Sequence, residues 1–237
     1  MTASSARPTL PPLPAGLPAT RESLHRLAEH VLSPARYAVT GRIGLRPHPG
    51  GLRTPPFGTD ERVVAVEGDE RVVTSATGEL HRGRVATLRA AGEVVGIAPG
   101  APAAVYRPVT PCDLDAPLTL DRQAMRALAD WYALGAEALE RLAELLAGEQ
   151  PSEAQLWPEH LDLAITAGSV NYGFSPGDEH VADPYAYVGP HAGAPAGGDP
   201  YWNAPFGALR TVSELATAAA ALAFLLEGHA KAAAAAT

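Results

Sequence analysis

The sequence predicts an α+β fold: an antiparallel sheet with hairpins packed against two long helices, plus a loop-rich C-terminal segment. Three observations carry this. Short runs with period-two alternation, broken by glycine, fill the region 37–106. Two long stretches carry apolar residues at helical spacing, near 120–147 and 208–232. Between them lie about fifty residues without sustained periodicity, far longer than an ordinary connection.

The chain has 237 residues, 46% hydrophobic and 19% charged, a globular composition that suffices for one large domain. Residues 1–19 contain five prolines and are expected as an extended lead-in. Residues 20–232 are expected as a single domain, with 233–237 as a fraying tail. Thr20 is placed to cap a helix carrying Leu24, Leu27, Ala28, Val31 and Leu32, and Ser33-Pro34 to end it. His25 and His30 fall toward its polar side and are expected at the surface.

From Tyr37 onward strands are expected. Arg62–Glu67 and Glu70–Thr74 flank Gly68-Asp69, a hairpin signature. Shorter strands are expected at 79–88 and 93–97, and a proline-rich loop over 99–119. Asp121 suits the N-cap of the next helix, whose stripe runs from Met125 to Leu146 before Gly148. The last helix, expected over 208–232, is apolar nearly all round, which implies burial or a subunit contact.

Charge excludes some partners. Of 18 basic residues only Lys231 is a lysine, and the net charge is −8. Residues 1–150 hold sixteen basic against seventeen acidic groups; residues 151–237 hold Arg210 and Lys231 against nine acids. Such a half does not suit a phosphate backbone, so no nucleic-acid partner is expected. A single cysteine, Cys112, excludes an internal disulfide or a zinc–thiolate cluster within the chain. With neither a signal pattern nor an apolar run of membrane length, no membrane partner is expected and the cytoplasm is the expected compartment.

The segment 157–207 is where function is expected. It holds eight of the fourteen aromatic residues, three of the eight histidines and six acids. Read as a strand, His160–Thr166 projects His160 and Asp162 from one face. Ser175-Pro176-Gly177 then turns into Asp178, Glu179 and His180. Together His160, Asp162, Asp178, Glu179 and His180 have the mixed nitrogen and oxygen chemistry of a divalent-metal site, though in no established spacing. A divalent ion is the one cofactor this pattern suggests. A metal-free site with His160 or His180 as general base, and simple turn-capping by these side chains, are the alternatives. Trp157, Tyr172, Tyr185, Tyr187, Trp202 and Asn203 could line a pocket for a small molecule. The competing reading is that these aromatics fasten long loops to the core. No nucleophile elbow, P-loop, dinucleotide fingerprint or CxxC pair occurs.

The strings Trp157-Pro-Glu-His-Leu-Asp162, Ser175-Pro-Gly-Asp-Glu-His180, Pro184-Tyr-Ala-Tyr-Val-Gly-Pro190 and Tyr201-Trp-Asn-Ala-Pro-Phe-Gly-Ala208 resemble those of an uncharacterised family of high-GC bacterial proteins. The order of parts, with Gly51-Leu-Arg-Thr-Pro55 and Leu161-Asp-Leu-Ala164, is more loosely similar to a second bacterial family of unknown function. Neither resemblance implies an activity, a cofactor or a catalytic residue. Three functions stay open: a small-molecule binding protein, a metal-dependent hydrolase-type enzyme using His160, Asp162, Glu179 and His180, and an assembly protein forming a homodimer through its last helix.

Overall fold

The fold is α+β, seen in a computed structural model that describes residues 12–235. The expected lead-in over 1–11 and the last two residues of the expected tail lie outside the described residues. Two five-stranded sheets are present, with strand orders β1-β2-β3-β4-β5 and β10-β9-β8-β7-β6. Chain contacts gather the residues into two compact units. One comprises Leu13–Tyr132 and Gln155–Leu163; the other contains Ala133–Ala154 and 164–235.

In the first unit the chain enters α1 (Leu17–Leu27), three residues before the expected start, because Pro18 falls in the first turn where its missing N–H costs nothing. Ser33-Pro34 does not end the helix. A π turn, Ala28–Leu32, inserts an extra residue, and α2 (Ser33–Thr40) then carries Pro34 in its own first turn. Residues 37–40 are therefore helical, not strand. Gly41 ends α2 in the left-handed conformation at φ 67°.

The first sheet contains β1 (Arg46–His48), β2 (Gly51–Arg53), β3 (Val63–Glu67), β4 (Glu70–Ser75) and β5 (Gly78–Arg84), every neighbouring pair antiparallel. The hairpin expected at Gly68-Asp69 forms, with Glu67 opposite Glu70. The expected strand over 93–97 does not form: residues 93–95 end α3 (Leu88–Val95), which is capped by the Thr87 hydroxyl accepting from Ala90 N. Helix α4 (Arg122–Leu145) opens with Asp121 Oδ1 accepting from Ala124 N, the expected cap.

Strand β6 (Gln155–Trp157) bridges back to Leu45 through paired Leu45 and Leu156 backbone groups. The second unit holds most of β7 (Asp162–Ala167), then β8 (Val170–Ser175), β9 (Tyr185–Pro190) and β10 (Ala208–Thr211). Residues 208–211 pair with β9 and do not begin the last helix, α5 (Ala218–Ala235), which continues past the expected fraying point at 233. Helix α5 lies on β8 and β9, burying Ala221, Phe224, Leu225 and Gly228. Among the described residues no helix is long and apolar enough to cross a membrane.

Candidate functional site: a buried histidine and carboxylate cluster

Helix α1 and the π turn carry a polar stripe at intervals of three: Thr20, Ser23, Arg26 and Glu29, all buried. Each holds the loop that precedes α4. Thr20 Oγ1 accepts from Asp121 N and Ser23 Oγ from Thr119 N. Arg26 Nη2 donates to Asp113 O at 2.6 Å. Glu29 Oε1 accepts from Val109 N, while Oε2 accepts from Thr110 N and Thr110 Oγ1. His30 is buried beside it, Nε2 at 3.0 Å from Thr110 O. The π turn brings Glu29 and His30, neighbours in sequence, onto the same loop residue.

On the other side of Glu29 the pattern changes. His25 Nε2 stands 4.0 Å from Glu29 Oε2, and the ring also meets the Pro158 backbone. Burial holds the His25 imidazole below its ordinary value, although Glu29 and Glu22 act against the shift. Burial also raises Glu159, with His160 acting the other way and Asp162 and Glu29 reinforcing it. The Tyr106 hydroxyl is raised by the same desolvation and by the Glu29 charge.

Ser33 Oγ and Tyr106 OH are buried with only each other as partner, while His25 Nε2, His30 Nδ1 and Glu159 Oε2 are buried with no hydrogen-bond partner among the described residues. Such atoms are rare in folded proteins, and each costs about 1–3 kcal/mol. The backbone beside them is strained. Leu161 is fully buried yet adopts φ 53°, a left-handed conformation that costs a leucine about 1–2 kcal/mol. It is held there by Tyr132, whose hydroxyl donates to Leu161 O at 2.5 Å.

That left-handed residue also corrects the expected strand. Residues 158–161 form a turn and β7 begins only at Asp162, so His160 is exposed while Asp162 is buried. Trp157 ends β6, half-buried in the same unit. Of the residues expected to bind metal, His160 and Asp162 thus border the cluster, and sequence reasoning missed His25, Glu29, Tyr106 and Glu159. His25 and His30, expected at the surface, are largely buried. The stripe at Thr20, Ser23, Arg26 and Glu29, too polar for a helix face opposite solvent, was the available signal.

The remaining expected ligands serve a turn in the second unit. Asp178 Oδ1 accepts from His180 N and Val181 N, and Oδ2 accepts from Tyr185 OH at 2.7 Å. Burial works against the Asp178 charge, but these donors hold its carboxyl below the usual value. Glu179 and His180 are exposed and face each other at 3.6 Å. Among the described residues no group of three or more His, Cys, Asp or Glu side chains is placed to hold a metal ion.

The aromatic set is used in several separate contacts. Tyr172 is fully buried and hydrogen-bonds His229 Nδ1, whose Nε2 reaches Glu149 at 3.0 Å. Tyr187 lies across Gly173, where a Cβ would come within 2.6 Å of the ring, and meets Tyr185 and the edge of Phe206. Trp202 packs edge-on against Tyr201. Asn203 bonds both Leu209 O and Leu209 N, fastening the loop to β10.

No family model, curated protein or solved structure matches this chain. The chemistry of the cluster is therefore read from its own geometry. It offers a neutral imidazole acceptor, a carboxyl group and two hydroxyls, bordered by His160 at the surface. These are groups that recognise a small polar ligand, and that can exchange a proton with it.

Proposed function

We propose that this chain is a binding protein for a small polar molecule, and that the ligand enters the first unit between His25, Tyr106 and Glu159, with His160 at the rim. The supporting observation is the concentration of buried polar atoms with incomplete hydrogen bonding around one well-anchored carboxylate. A fold that retains such groups at a cost in stability gains by them when a ligand completes their hydrogen bonds. Glu29 and the 99–119 loop form the fixed wall of the site, and His25, Ser33, Tyr106 and Glu159 supply contacts with both donor and acceptor character.

The test combines stability with ligand response. Tyr106→Phe and Glu159→Gln keep the side-chain volume and remove or neutralise a polar atom. Without ligand, both variants are expected to melt at or above the parent temperature. A library of small polar metabolites screened by thermal shift is expected to contain compounds that raise the parent melting point by mass action. The same compounds should act at least about tenfold more weakly on the double variant, the effect of losing two hydrogen bonds. If the single variants are markedly destabilised, or the double variant responds like the parent, the site lies elsewhere.

A further inference from the structure

A second feature of the same unit lies on the face of the first sheet that packs against α3. Arg71, in β4, is only 2% exposed. Its Nη1 donates to the Ala90 and Ala91 carbonyls at 3.1 and 3.4 Å. Those are the hydrogen bonds it makes among the described residues; Nε is buried without an acceptor. Its guanidinium is lowered by burial, and no carboxylate acts on it. Buried arginines normally have an anionic partner, because desolvating an isolated charge costs several kcal/mol.

The neighbouring strand shows where such a partner would fit. In β5 the residue opposite Arg71 is Gly83, and the residue opposite Val73 is His81, so Arg71, His81 and Gly83 share a face. A Cβ on Gly83 would stand 3.1 Å from His81 Nε2 and 3.8 Å from Arg71 Nη2. Both nitrogens therefore border one point over the strand. Gly83 is not among the positive-φ residues, so its backbone does not demand glycine. What the absent side chain leaves clear is the approach to these two donors. Arg82 and Arg84, alternating with them, pair with carboxylates: Arg82 with Glu67, Glu70 and Glu79, and Arg84 with Asp69. Of the three arginines of this hairpin, the buried one is the one without a counter-charge.

We propose that Arg71 and His81 form a binding site for a small oxyanion, a phosphate or sulfate group seated over Gly83. A tetrahedral oxyanion has oxygens for both nitrogens at once, and the guanidinium supplies charge-assisted hydrogen bonds. The site is distinct from the His25–Glu159 cluster and does not depend on a ligand there.

The full-length chain is titrated with sodium phosphate, sodium sulfate and methyl phosphate against sodium chloride at matched ionic strength, following thermal unfolding. A saturable rise in melting temperature is expected with the oxyanions and not with chloride. Equal midpoints for phosphate and methyl phosphate would assign the site to a free oxyanion; a tighter midpoint for the ester would assign it to a phosphate carried by a larger molecule. Arg71→Met is expected to abolish the saturable rise, measured against the variant's own anion-free melting temperature. His81 is exposed, so His81→Ala folds whatever becomes of the first variant. It is expected to weaken the phosphate midpoint about three- to tenfold, the range for one hydrogen bond. A parent without any saturable oxyanion response overturns the proposal, as does an unchanged midpoint in His81→Ala.

Discussion

Burying a carboxylate costs several kcal/mol unless protein donors replace its water. Glu29 meets that condition with two backbone N–H groups and one hydroxyl, all from Val109 and Thr110. Glu29→Gln keeps the shape but turns an N–H group toward donors that need an acceptor. It is expected to cost about 2–4 kcal/mol, the scale of a broken buried network. Thr110→Val removes only the hydroxyl donor and should cost about 1–2 kcal/mol. Urea unfolding midpoints for the two variants check the ranking, and equal small losses would mean that Glu29 is not the anchor. None of this was legible from Glu29 alone, since a glutamate in an amphipathic helix reads as solvated. Its donors lie about eighty residues away in a loop whose prolines conceal its path. Asp162 was picked out as a candidate, but the positive φ of Leu161 that turns His160 away from it leaves no mark in the local pattern.

At the level of elements, the π turn shows how the sequence tolerates a proline inside a 24-residue helical stretch. Pro34 has no N–H for the His30 carbonyl, four residues earlier, and the Gly100 N–H takes that acceptor at 3.0 Å. A break in one element is thereby joined to the loop that closes the site. Gly100→Pro removes the donor and leaves a buried carbonyl unpaired, at an expected cost of about 1–3 kcal/mol. Faster amide exchange at Val109 and Thr110 should accompany it, and unchanged exchange there would separate the loop from the π turn. The same logic explains which elements the sequence revealed. The Gly68-Asp69 hairpin and the Asp121 cap are local signals and appear where expected. Ser33-Pro34 looks like a stop in the local sequence because its compensation, Gly100, is distant. The paired valines of Glu93–Ile97 suggest a strand, whereas Thr87 starts a helix that Gly96 ends. Ala208–Thr211 was read into the last helix because its pairing with β9 is non-local.

For the molecule as a whole, acid sensitivity should come in two stages. The first belongs to His25. Burial lowers its folded pKa below the ordinary value of 6.5, so the unfolded chain binds more protons in the window beneath that value. The stability it contributes is complete above about pH 6.5 and is lost as pH falls through the depressed folded value. Glu159 has the opposite sign. Its folded pKa is raised above 4.5, so its contribution is complete below that value and is lost as pH rises through the folded one. Glu159 thus offsets part of the His25 loss wherever the two windows overlap. The second stage comes from carboxylates held low. These include Glu67, which burial opposes but His48 and Arg82 stabilise, and Asp178, which Tyr185 and two backbone donors stabilise despite its burial. Asp69, Asp115 and Asp199 are lowered first by bonds from Arg122, Arg89 and Lys231, and solvent screening weakens the part of the exposed Asp115 most. Their contributions are present above the unfolded values of 3.8–4.5 and disappear as pH falls through the folded ones. Urea midpoints measured from about pH 8 to pH 3 should therefore decline once just below pH 6.5 and again below about pH 4. His25→Phe is expected to remove the first decline and leave the second. A first decline that survives in that variant would assign it to another histidine and separate His25 from the pH response of the fold.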